Sequence, residues 1–61
     1  MNNIRNLRLK RKLTQEELGS KLGVSRVAVC RWETGEAHPR AELLPKIAEI
    51  LRCKIDALFF G

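Results

Sequence analysis

A chain of 61 residues holds one small domain and buries only about 60% of the surface its unfolded form exposes, which excludes a multidomain enzyme. An apolar share of 44% beside 31% charged residues, with four Gly and two Pro, excludes a disordered, collagen-like or low-complexity chain. The net charge of +5 sits at one end: residues 1–13 carry Arg5, Arg8, Lys10, Arg11 and Lys12 with no acid, while the remainder is balanced, and such a cluster is a footprint for a polyanion, either nucleic acid or an anionic membrane.

In chain order the pattern predicts five short helices and no strand. The first places Ile4, Leu7 and Arg11 on one face, with Leu9 pointing away. Thr14 followed three residues later by Glu17 is a capping box that starts a second helix at Gln15. That helix carries Leu18 and Leu22 and stops at Gly23, a residue that tolerates the left-handed conformation of a helix end. Only Val24 separates Gly23 from Ser25, an N-cap residue type that opens a third helix over Arg26 to Glu33. At about 100° per residue, Ala28, Val29 and Trp32 share the buried side of this helix and Arg26, Val27, Cys30, Arg31 and Thr34 the other. Thr34-Gly35 closes it, and a loop from Glu36 to Arg40 follows. The fourth helix, with a wide face of Leu43, Leu44, Ile47, Ala48, Ile50 and Leu51, is expected to begin near Ala41 to Glu42, because Pro45 lacks an N–H and belongs in a first turn. Ile55 to Phe59 reads as a fifth.

Other chemistries find little support. No apolar run approaches the ~18–20 residues that span a bilayer, and Met1 to Arg5 leads into charge rather than into the apolar stretch of a secretory signal, so a cytoplasmic protein is expected. Cys30 and Cys53 form no metal-ligand spacing with the single His38, and two free thiols are expected rather than a disulfide or a metal site. No phosphate loop, nucleophile elbow or acid–base constellation is present. The expectation is a protein that is not an enzyme and needs no cofactor or metal.

The combination Thr14-Gln15-Glu16-Glu17-Leu18-Gly19, Leu22-Gly23-Val24-Ser25, Val29 and Trp32-Glu33-Thr34-Gly35 resembles the phage repressor and Cro-like helix-turn-helix family. The family pattern places apolar residues at Leu18, Leu22, Val24, Val29 and Trp32, a small residue at Gly19 and Gly at the turn, Gly23. The chain departs from it at Lys12 and Arg52, helix-ending places where the family often has Gly, and at Lys54, where a capping Ser or Thr would stand.

The resemblance implies an all-α, five-helix, lambda-repressor-like domain spanning 1–61, with the helix-turn-helix at about 15–34. It implies a recognition helix, Arg26 to Glu33, in the major groove of double-stranded DNA. Arg26, Val27 and Arg31 then fall at base-contacting positions, Arg suiting guanine and Val a thymine methyl. Gln15, Ser25 and Arg40 fall at phosphate-contacting positions. Arg8 and Glu33 match an ion pair joining the first and third helices, and Lys10, Arg11 and Lys12 are expected to add nonspecific attraction. The function so implied is a sequence-specific transcription regulator, a repressor in the first instance, working as a homodimer on a two-fold operator. Its partner surface is expected in the C-terminal region of Leu58, Phe59 and Phe60, with Leu58 itself in the core. An antitoxin-type or other protein-binding module on the same fold is the alternative, and a membrane-surface helix is disfavoured because the first helix lacks a bulky apolar face.

Overall fold

A computed structural model describes residues 3–59 of the chain. Within it four α-helices follow one another: α1 (Ile4–Lys10), α2 (Gln15–Leu22), α3 (Arg26–Thr34) and α4 (Leu44–Leu51). Two short 3-10 turns, Ala41–Leu43 and Ile55–Leu58, flank α4.

The predicted fifth helix is therefore a correction. Ile55–Leu58 is only four residues long and Lys54 provides no side-chain cap. Its backbone closes through i to i+3 bonds, from the Ala57 N–H to the Lys54 carbonyl and from the Phe59 N–H to the Asp56 carbonyl, both at 3.0 Å, the geometry of a tight turn. The start of the fourth helix is also divided in two. Ala41 opens a 3-10 turn and α-helix begins only at Leu44, because Pro45 has no N–H to bond the carbonyl four residues back.

Helix starts follow the side-chain chemistry. The Thr14 hydroxyl accepts from the Glu17 N–H at 3.0 Å while the Glu17 carboxylate accepts from the Thr14 N–H at 2.8 Å, so the capping box is closed on both sides. Ser25 accepts from the Ala28 N–H at 3.2 Å. The Thr14 N–H, with further help from its hydroxyl and from Lys21, holds the Glu17 carboxyl below its ordinary range. A carboxyl depressed in the folded state contributes stability above its unfolded pKa and loses it as pH falls through the folded value. The stability difference between the natural chain and Glu17→Gln, followed by urea denaturation from neutral pH into acid, is expected to shrink toward zero on the acid side. A difference independent of pH would show that the carboxylate charge plays no part in the cap.

Helix ends are less uniform. Gly23 (φ 74°) and Gly35 (φ 85°) end α2 and α3 in the left-handed conformation, and Lys12 (φ 58°) and Arg52 (φ 56°) adopt the same conformation after α1 and α4. For a residue with a Cβ this costs roughly 1–2 kcal/mol.

The core joins Ile4 of α1, Leu18 and Leu22 of α2, Val29 and Trp32 of α3, Ile47, Ala48 and Leu51 of α4, and Leu58 of the last turn. Every segment is too short to persist alone in water, so this shared core holds them. The ends of the described chain meet where the Asn3 N–H donates to the Leu58 carbonyl at 2.6 Å and the Asn3 side-chain amide donates to the Ala57 carbonyl at 3.2 Å. On α1 the predicted stripe needs correction: Ile4 and Arg8 are buried, Leu7 is half-buried and Arg11 is exposed. Arg8 turns inward because its guanidinium finds partners there. None of the described helices is long and apolar enough to cross a membrane.

Candidate nucleic-acid interface

The α2–α3 pair forms because Gly19 lets the chain turn back on itself. A Cβ on Gly19 would lie 2.8 Å from the Val24 carbonyl oxygen and 3.2 Å from that of Ser25, so the turn and the first residue before α3 rest directly on the α2 backbone. The Val24 N–H donates to the Gly19 carbonyl at 2.9 Å, closing the turn around the left-handed Gly23.

A buried polar cluster fixes the other end of the pair. The Arg8 Nε donates to Glu33 Oε2 at 2.6 Å, a second guanidinium N–H reaches Glu33 Oε1 at 3.1 Å, and a third donates to the Leu13 carbonyl at 2.7 Å. Glu33 keeps only 4% of its side chain exposed, and its Oε1 also accepts from the Gln15 amide at 3.0 Å. Hydrogen bonding to Glu33, against the cost of burial, raises the Arg8 pKa further above its already high ordinary value. Three elements, the end of α1, the start of α2 and the last turn of α3, are thereby locked in one geometry.

That lock leaves one side of α3 uncovered. Arg26 and Arg31 are exposed, Val27 is 47% exposed, and Cys30 between them is half-buried. Ala28 is half-buried, while Val29 and Trp32 are buried against the core. Arg26 and Val27 stand in the first turn of α3, immediately after the Ser25 cap. Ser25 is exposed, and its hydroxyl oxygen is engaged by the Ala28 N–H, which leaves the hydroxyl proton available to donate. Gln15 is half-buried at the start of α2 with one amide proton committed to Glu33, and the other is available. Arg40 is exposed in the loop before the turn Ala41–Leu43. Lys10, Arg11 and Lys12 line a concavity with Lys21 and Arg52, to which α3 contributes no residue.

Reading the sequence alone misses that Gln15 is an internal tie as well as the first residue of α2, since the 18-residue separation between Gln15 and Glu33 carries no local signal. It also misses the grouping of Lys21 and Arg52 with the basic end of α1. Among the described residues no group of three or more His, Cys, Asp or Glu could hold a metal, and Cys30 and Cys53 are free thiols.

Two helices joined through a glycine turn, the second presenting a cationic outer face, define a helix-turn-helix protein. Residues 4–58 match the helix-turn-helix family, and the chain belongs to it. It is 41% identical over 58 residues to repressor protein C2 of Salmonella phage P22, and 40% identical over 58 residues to the transcriptional activator BcrR of Enterococcus faecalis. In each case 95% of this chain is covered, but the chain spans only 27% of the first protein and 28% of the second. A helix-turn-helix transcriptional regulator of Methanocaldococcus jannaschii is 40% identical over 58 residues and is covered over 88% of its length. Among solved structures, the P22 c2 repressor in complex with synthetic operator 9T superposes with a TM-score of 0.88 at 41% identity, covering 97% of this chain and 89% of that one.

Proposed function

We propose that this chain is a sequence-specific double-stranded DNA-binding transcription regulator, a repressor in the first instance, that reads the major groove with α3. The observation that carries the reading is the likeness to the P22 c2 repressor in its operator complex, at a TM-score of 0.88 and 41% identity over 97% of the chain. The exposed side of α3 supports it chemically. Arg26 and Arg31 can each bond guanine O6 and N7 through two parallel N–H donors, and the exposed Val27 offers an apolar surface to thymine methyls. Gln15, Ser25 and Arg40 hold phosphates, the first two standing at helix starts where backbone N–H groups favour an anion. Neither catalysis nor a cofactor is needed, and the site of action is cytoplasmic.

Selection of bound duplexes from a random pool, repeated with variants, tests this. Arg31→Ala is expected to cost about 1–3 kcal/mol at particular base pairs and to relax preference there, while Arg40→Ala weakens all sequences alike. Log K should fall with log salt by about 0.9 per phosphate neutralised. A preference profile unchanged by Arg31→Ala, or binding flat with salt, would overturn the reading.

Two copies sharing one operator complete the proposal, since half-sites one helical turn apart place both recognition helices on the same side of the duplex. Leu58 is fully buried and serves the core, so the surface offered to a partner is Ile55, 42% exposed, with Phe59, 41% exposed. Phe60 lies outside the described residues. Exposed apolar groups of this kind favour association. Sedimentation equilibrium on a selected two-fold duplex is expected to give two copies per duplex, and Phe59→Ser/Phe60→Ser to weaken the pairing; one copy per two-fold site would defeat it.

A further inference from the structure

Much of the basic excess of the sequence is gathered, in three dimensions, around an open surface cavity of about 390 Å³ whose five cationic side chains are all exposed. Its charged walls come from the ends of three helices: Lys10, Arg11 and Lys12 at the end of α1, Lys21 in the last turn of α2, and Arg52 just after α4. The half-buried Leu13 and Ile50 complete it with apolar surface. No carboxylate lines the cavity, and among the described residues none of the five cations is in an ion pair. Lys21 acts on the Glu17 carboxylate one turn before it, and that carboxylate accepts from the Thr14 N–H.

No residue of α3 lines the cavity. Gly19 points at the turn that leads into α3, and Lys21, two residues on, is rotated by about 200° around α2. Lys21 thus stands on the side of α2 away from the turn into α3.

Two independent features make this more than a solvated basic end. Cations in a last helical turn balance the partial negative charge of that end, which accounts for Lys10 and Lys21. It does not account for the left-handed backbone at Lys12 and Arg52. Of the four left-handed positions among the described residues, the two away from the cavity are Gly23 and Gly35, and the two at the cavity are Lys12 and Arg52. The chain thus accepts backbone strain at the two caps whose side chains border this space, and strain held at such a place points to function. The mutual repulsion of five like charges around one concavity is relieved when an anion occupies it.

We propose that this cavity binds a small anion carrying a diphosphate group. Arg11 and Arg52 supply planar donors suited to phosphate oxygens, and the three lysines supply point charges. Leu13 and Ile50 offer a surface to any nonpolar part attached to the phosphates. The inference does not depend on how α3 reads DNA.

The test is a backbone-amide NMR titration of the full chain with inorganic pyrophosphate and, separately, with ADP, at constant ionic strength, with sodium chloride as the control. Saturable shifts are expected at residues 10–13, 21 and 50–53, absent with chloride, while the exposed side of α3 stays unmoved. Tighter binding of ADP identifies a nucleoside diphosphate as the ligand class, and equal binding a free diphosphate. Lys12→Gly/Arg52→Gly removes two charges and the backbone strain together, so it is expected to fold with a melting temperature no lower than the natural chain and to bind pyrophosphate about tenfold or more weakly. Lys21→Gln, within a regular helix, gives the same reading should the double variant not fold. No saturable shift, shifts centred on Arg26 and Arg31, or affinity unchanged by these substitutions would overturn the proposal. So would displacement of pyrophosphate from these residues by duplex DNA, which would make the cavity a nucleic-acid contact.

Discussion

Replacing Arg8 with alanine is expected to cost about 3–5 kcal/mol, a large share of a total that for this length is only about 3–9 kcal/mol. The magnitude follows from what remains behind. Glu33 has 4% of its side chain exposed and would keep its negative charge without the guanidinium that bonds both of its oxygens. The Leu13 carbonyl would lose its 2.7 Å donor as well. Only the Gln15 amide would still reach Glu33, and one neutral donor does not replace a bidentate cation. Replacing both partners with apolar residues, as in Arg8→Met/Glu33→Leu, is expected to restore part of the loss, since the cost lies in the orphaned charge more than in the missing attraction. Urea denaturation followed by the fluorescence of Trp32, the single tryptophan and a buried one, measures both variants. A loss below about 1 kcal/mol for Arg8→Ala would place the pair among surface ion pairs of little consequence.

Gly19→Leu is expected to cost about 3 kcal/mol, and to change the geometry of α3 in whatever fraction still folds. The first side-chain carbon would stand 2.8 Å from the Val24 carbonyl oxygen and 3.2 Å from the Ser25 carbonyl oxygen. Neither can swing aside, because both belong to the backbone that leads from α2 into α3. Glycine's low helix propensity, about 1 kcal/mol below alanine, is the smaller term here, so a better helix former loses. Circular dichroism with thermal melting is the measurement. A melting temperature within a few degrees of the natural chain would mean that α2 and α3 can separate without loss, contrary to the close approach at this residue.

Much of the fold is legible in the sequence because its signals are local. The capping box at Thr14 and Glu17, the Ser25 cap and the left-handed glycines 23 and 35 each act within one turn of chain, and the structure carries all of them. The apolar spacing of α2 to α4 places Leu18, Leu22, Val29, Trp32, Ile47, Ala48 and Leu51 in one core. The uncovered side of α3, with Arg26, Val27 and Arg31, follows from the same periodicity once Val29 and Trp32 turn inward.

Where the sequence misled, the deciding term was not local. Arg11 and Arg8 are equivalent candidates for the inner face of α1 when only spacing is considered, and Arg8 is buried because Glu33, 25 residues away, is there to receive it. The last four-residue segment winds as a 3-10 turn rather than a helix, since it is too short to repay helix nucleation and its conformation answers to the packing of Leu58.

The sequence by itself determined where α2 and α3 start and stop, which of their apolar residues enter the core, and that a helix-turn-helix with a cationic second helix results, because caps, glycines and periodicity act over a few residues. Only the tertiary structure decided that Arg8, Gln15 and Glu33 form one buried lock, and that the basic residues at the end of α1 join Lys21 and Arg52 around one concavity. Both outcomes depend on distances between groups far apart in the chain, which are set when three helices pack together and by nothing that any one of them carries alone.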